Sequence, residues 1–130
     1  MFVEIYVFDK GVNRFEDLIV WKKAQSLTVA VYHCFAETNE YFLKDQICRA
    51  SLSISNNIAE GFSRNSNKDF ARFLSIAMGS CNEVKSMLYL SSKLDFIKKE
   101  KAELLIESST EIYKMLSVLL KHLKSNQDKR

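Results

Sequence analysis

Proline is absent from this chain of 130 residues, and glycine occurs only three times. Both residues punctuate strands and tight reversals, so their scarcity excludes a turn-rich sheet fold and leaves long helices. Apolar runs are short as well: none approaches the ~20 residues that a membrane-crossing helix needs. The N-terminus has no basic leader followed by an apolar stretch and a small-residue cleavage site. A cytoplasmic protein with no membrane partner is the expectation.

Residues that carry chemistry are equally few. Histidine occurs twice, as His33 and His122, and no Glu-x-x-His pair is available for a carboxylate-bridged metal centre between helices. There is no glycine-rich phosphate loop, and Ser, Cys and His nowhere suggest an activated nucleophile. Cys34, Cys48 and Cys81 are odd in number, widely spaced and each in an apolar helical setting. That pattern fits reduced core residues rather than a disulfide framework or a zinc site. The chain therefore reads as non-enzymatic, with no cofactor and no metal. A metal-dependent bundle enzyme would instead reveal itself by bound iron or manganese.

An excess of one charge is missing too. The formal net charge is +3, yet Lys121, Lys124, Lys129 and Arg130, less Asp128, supply all of it. Residues 1–120 balance, so overall charge is no warrant for nucleic-acid binding. Distribution gives a modest one: from Arg49 to Lys93, the bases Arg49, Arg64, Lys68, Arg72, Lys85 and Lys93 face only Glu60, Asp69 and Glu83.

Helical spacing fills most of the chain. Val20, Ala24, Leu27, Val31 and Cys34 predict a first helix from 17 or 18 to 37, widened by Trp21, Thr28 and Phe35. A second spans 41–62 on Ile47, Ala50, Ile54, Ile58 and Gly61. Residues 63–67 read as a polar turn in which Ser66 or Asn67 can cap a third helix. That helix carries two stripes, Phe70, Leu74, Ala77, Cys81, Val84 and Leu88 beside Phe73, Ile76, Ser80, Glu83, Met87, Leu90 and Leu94. The fourth spans 98–124 on Leu105, Ser108, Ile112, Leu116, Leu119 and Leu123. Repeats near 3.5 residues favour shallow crossings, and short connections favour antiparallel neighbours. The predicted fold is all-α, an antiparallel up-down-up-down four-helix bundle over residues 15–124. Residues 1–14, where Val3, Ile5 and Val7 alternate as in a strand, read as an N-terminal extension of poor order. Residues 125–130 read as a basic polar tail.

Beside the apolar stripe of the second helix runs a polar line of Arg49, Ser53, Asn57, Glu60 and Arg64. In one reading Arg49, Asn57, Glu60 and Glu83 form a polar seam, inside the bundle or between subunits, that fixes helix register. In the other, Arg49, Arg64 and Arg72 face outward to phosphates, which suit their planar forks. Gly79, in mid-helix, costs about 1 kcal/mol relative to alanine. With Ala77 and Ser80 it suggests close approach of another helix, within the bundle or across a subunit boundary. Trp21, Tyr32, Phe35, Phe70 and Phe73 read as core, and Tyr41 and Phe42 as an exposed patch suited to self-association.

Four blocks stand in order: Phe15-Glu16-Asp17-Leu18-x-Val20-Trp21-x-Lys23-Ala24, Gln46-Ile47-x-Arg49-Ala50, Asn57-Ile58-Ala59-Glu60-Gly61 with Arg64, and Phe73-Leu74-x-Ile76-Ala77-x-Gly79-Ser80-x-x-Glu83. In that order and spacing, over residues 15–124, the chain resembles the four-helix bundle proteins encoded in intervening sequences of bacterial 23S ribosomal RNA genes. That family is similar to the accessory variability determinant proteins of diversity-generating retroelements. Two positions depart from the pattern. The turn before the second helix lacks its usual proline, and Met78 replaces the arginine that commonly precedes the glycine. The resemblance implies the bundle and a homopentameric ring. For retroelement members it also implies a basic surface that engages nucleic acid and a reverse transcriptase partner.

The expected function is a non-enzymatic, ring-forming bundle that binds nucleic acid, RNA before DNA, by electrostatic attraction. Its candidate contacts are Arg49, Arg64, Lys68, Arg72, Lys121 and Lys124. The alternative is a protein–protein assembly or adaptor module without nucleic-acid binding, motivated by the balanced charge of residues 1–120 and by Met78.

Overall fold

The computed structural model describes residues 12–126. A single 3₁₀ turn at Phe15–Asp17 leads into four helices: α1 (Ile19–Cys34), α2 (Tyr41–Phe62), α3 (Asn67–Lys93) and α4 (Lys99–Ser125). No strand occurs among the described residues. The strand-like alternation of Val3, Ile5 and Val7 and the tail beyond Asn126 lie outside them. Val12 already packs against the core, ahead of the expected domain start at residue 15.

Local chemistry sets the helix ends. Ser66 has extended backbone, and its Oγ accepts a hydrogen bond from the Asp69 N–H at 3.1 Å, so it caps α3 while Asp69 complements the positive end of the helix dipole. At the other end of α3, Asp95 takes a left-handed conformation, φ 60°, as the residue after the cap. The Phe96 N–H then reaches the Ser91 carbonyl and the Asp95 N–H that of Ser92, closing the helix in a Schellman motif. Helix α1 stops at Cys34, short of residue 37, because Phe35 through Thr38 turn off the axis with hydrogen bonds from Ala36 N to His33 O and from Thr38 N to Phe35 O.

Cross-helix bonds define the register. Gln25 Nε2 donates to Ser55 Oγ (3.0 Å) and Lys44 Nζ to the Ala36 carbonyl (3.3 Å), so numbers rise along α1 as they fall along α2. Ser80 Oγ donates to Ser53 Oγ (3.0 Å) between α2 and α3. Ser109 Oγ reaches the Cys81 carbonyl (2.8 Å), and Asn67 Nδ2 the Asn126 carbonyl (2.6 Å), between α3 and α4. Lys23 pairs with Glu111 at 3.0 Å between α1 and α4. Neighbours are antiparallel throughout, and the bundle runs up-down-up-down as the stripes predict.

The core follows those stripes. Leu18, Phe35, Ile47, Ile54, Ile58, Phe70, Leu74, Leu88, Ile112, Leu116, Leu119 and Leu123 are fully buried, each side chain contributing about 1.5–3 kcal/mol. Contacts are densest between α2 and α3 and between α3 and α4, and sparsest between α1 and α4. The second stripe of α3 behaves differently. Ser80 is buried against α2, but Ile76, Leu90 and Leu94 remain exposed. Tyr32, read as core, also lies on the surface, since α1 turns that side of the helix outward beside Val29. Tyr41 and Phe42 are the exposed patch expected of them, 68% and 71% accessible.

Two glycines have opposite surroundings. A Cβ on Gly61 would lie 2.8 Å from both Phe70 Cδ1 and Phe73 Cβ, whereas one on Gly79 would meet nothing within 4 Å. Gly79 therefore does not serve close packing within the bundle, because it points away from every neighbouring helix. Gly61→Ala should lower the unfolding free energy of the chain by about 1–3 kcal/mol through overpacking. Gly79→Ala should raise it by about 1 kcal/mol through helix propensity. Urea denaturation of both variants checks the pair.

Candidate nucleic-acid interface

The four-residue α2–α3 turn and the Asn67–Asn126 bond place the C-terminus of α2, the N-terminus of α3 and the C-terminus of α4 at one end of the bundle. Arg64, Lys68, Arg72, Lys121 and Lys124 all project from these segments, so five of the six candidate cations gather there. Lys68, Lys121 and Lys124 are exposed, and among the described residues no carboxylate lies within ion-pair distance of them. Arg49 is not part of this group. It lies about 22 Å back along α2, at roughly 1.5 Å per residue, and pairs with Asp45 at 2.9 Å.

The arginines at the basic end are held rather than loose. Arg64 Nη2 lies 2.8 Å from Glu60 Oε2, and Arg72 Nε 4.0 Å from Asp69 Oδ1. Both guanidinium groups also stand over the ring of Phe73, at 4.7 and 4.6 Å from its centroid. The pairs at i,i+4 and i,i+3 are legible from spacing alone. The shared ring is not: it needs Arg64 and Arg72 brought together across the turn.

The proposed seam of Arg49, Asn57, Glu60 and Glu83 is not joined within the chain. Arg49 pairs with Asp45 one turn away on α2, Glu60 with Arg64 just past the end of α2, and Asn57 Nδ2 donates to the carbonyl (2.8 Å) and hydroxyl (2.9 Å) of Ser53. Glu83 is exposed on α3. The physical reason is reach: a partner three or four residues away in the chain is closer than one across the helix crossing. A smaller polar seam exists instead, running from Asn57 through Ser53 to Ser80.

An open groove of about 820 Å³ separates α1 from α4 and is lined by Cys34, His33, Leu104 and Lys101, among others. It holds no activated thiol. Burial raises the Cys34 pKa, and the nearby Lys101 charge only partly opposes it. Cys48 is likewise raised by burial, with Lys44 opposing and Asp45 adding to it. Among the described residues no group of three or more His, Cys, Asp and Glu could hold a metal ion, and no helix is long and apolar enough to cross a membrane.

Residues 16–118 match the family model described as 23S rRNA-intervening sequence protein. The chain belongs to that family. It is also similar to a solved structure described as a protein of unknown function from the S23 ribosomal protein family of Bacteroides thetaiotaomicron VPI-5482. The two are 31% identical with a TM-score of 0.76, over 79% of this chain and 99% of that one. No curated protein matches. The matched span contains Arg64, Lys68 and Arg72 of the basic end, while Lys121 and Lys124 lie beyond it, and Gly61 with Glu60 and Arg64 sits at the turn that builds that end.

Burial pushes the Cys81 thiol up to about 12 from an ordinary 9.0. The folded state therefore holds this proton more tightly than the unfolded one. Its stabilising contribution is complete below pH 9 and is lost as pH rises toward 12. One thiol of the native protein should resist an aromatic disulfide reagent at pH 8 until denaturant is added. Cys81→Ala should flatten the alkaline fall in unfolding free energy.

Proposed function

We propose that this member of the 23S rRNA-intervening sequence protein family is a non-enzymatic bundle that assembles as a homo-oligomeric ring, five chains by resemblance, and binds RNA electrostatically. The single observation that carries the RNA reading is the collection of Arg64, Lys68, Arg72, Lys121 and Lys124 at one end of a chain whose net charge is only +3. Guanidinium and ammonium groups grouped at a helix-bundle end attract phosphates without reading bases, so binding is sequence-tolerant. Arg49 falls outside that surface.

Self-assembly draws on a different observation. Val29, Tyr32, Tyr41 and Leu52 are exposed on α1 and α2, and Ile76 and Leu90 on α3 with Leu94 at its C-terminal cap. Two unlike apolar strips are what a head-to-tail contact needs, and head-to-tail contacts that close give rings. The same strips favour the second reading, a protein adaptor that never meets nucleic acid.

Light scattering with and without a short single-stranded RNA separates these. The expected result is a mass near five chains that gains RNA at low salt. The affinity should fall with a log–log salt slope of about −3.5, since each neutralised phosphate of a single strand adds roughly −0.7. Lys68→Glu with Lys121→Glu should abolish retention, while Lys99→Glu with Lys101→Glu at the opposite end should not. A ring indifferent to RNA at every salt concentration would hand the function to the adaptor reading, and a monomer would remove the ring.

A further inference from the structure

Two guanidinium groups share one aromatic ring at the α2–α3 turn, with Arg64 Cζ 4.7 Å and Arg72 Cζ 4.6 Å from the centroid of Phe73. Gathering two cations at one ring is unfavourable unless anions join them. Glu60 and Asp69 are those anions: Glu60, in the last turn of α2, lies 2.8 Å from Arg64 just beyond the helix end, and Asp69 lies 4.0 Å from Arg72, one turn along α3. All four charged side chains are between 41% and 60% exposed, so the cluster is ordered without being sealed from water. Such exposed pairs are weak and exchange readily. A phosphodiester offers each planar fork two oxygens in matching geometry, a stronger charge-assisted bond than the 4.0 Å contact to Asp69.

We propose that Arg64 and Arg72, aligned by Phe73, are the seat for a backbone phosphate of RNA, and that Glu60 and Asp69 occupy this seat in the free protein as internal competitors. This rests on the nucleic-acid reading above and names the groups that set its affinity. Lys68, Lys121 and Lys124 supply the longer-range attraction. The arginines close on the strand only when a phosphate displaces the carboxylates. Phe73 is a positioning residue, acting through both guanidinium groups, and it makes the two exchanges occur side by side.

Fluorescence anisotropy of an end-labelled single-stranded RNA at about 50 mM salt, where electrostatic binding is strong, tests the competition. Glu60→Gln with Asp69→Asn should tighten binding about tenfold. Glu100→Gln with Glu103→Gln, the same charge change on α4 at the opposite end, should alter it less than about threefold. Phe73→Leu in the first double variant should remove the gain with helical circular dichroism intact, and Phe73→Tyr should keep it. Wild-type binding that the Glu60/Asp69 variant strengthens no more than the Glu100/Glu103 control would overturn the competitor role and leave the nucleic-acid reading standing. Absence of binding by wild type and both double variants would defeat that reading, and this proposal with it.

Discussion

At Gly61 the backbone of α2 runs so close to Phe70 and Phe73 that a Cβ would sit 2.8 Å from each. The rest of the molecule depends on that approach. It lets a turn of four residues connect two helices of 22 and 27 residues, and it sets the register that brings Ser53 to Ser80 about two turns further on. Phe70, stacked edge-on with Phe62 at 5.9 Å, then fills the end of the core. Phe73, one turn along, is left at the surface where Arg64 and Arg72 reach it. A single missing side chain thus decides both how the helices meet and which cations become neighbours.

Charge on this bundle is arranged locally. Arg49, Arg64, Arg72 and Arg14 each have a carboxylate within 4.0 Å on or beside their own helix. Pairs of this kind, exposed to water, add little to stability. Their effect is to cancel fields at the arginines while lysines near the α3 N-terminus and the α4 C-terminus keep theirs. Paired arginines and, among the described residues, unpaired lysines thus stand side by side at one end of a chain whose net charge is only +3. The arginines pair with carboxylates close by in the chain, and serines take part in several of the crossings: Ser53 with Ser80, Gln25 with Ser55, Ser109 with the Cys81 carbonyl.

Most of the fold was legible because a bundle writes itself in periodicity. The stripes through Val20, Ile54, Leu74 and Leu116 are core, and Ser66 caps where a serine before a helix should. What spacing could not convey is which of two stripes on one helix is covered. Ser80 and Ile76 lie on the same line of α3, yet the first is buried by α2 and the second is not, a matter of interhelical distance rather than pattern. Gly79 shows the same limit: its spacing leaves open approach within the bundle or across a subunit boundary, and within the chain nothing lies within 4 Å of its Cβ position. At the basic end, the candidates Arg64, Lys68, Arg72, Lys121 and Lys124 were visible as residues, and their union rests on the chain reversal and the Asn67–Asn126 bond. Arg49 was drawn in by its place on the polar line, but a helix carries residues apart along its axis even when they share a face.

The sparse contact of α1 has a kinetic meaning. It is the shortest of the four helices, 16 residues, and it touches α4 least of all the neighbouring pairs, across the groove that Leu104 lines. Most helical stability in proteins comes from the packing of an apolar face, so α1 persists mainly through what it buries. The α2–α3–α4 unit shares the dense contacts and forms a cooperative block that outlasts it. Release of α1, hinged at the loop before Tyr41, is therefore the expected first partial opening of the native state. Its amides should exchange with solvent through that excursion, ahead of any global event.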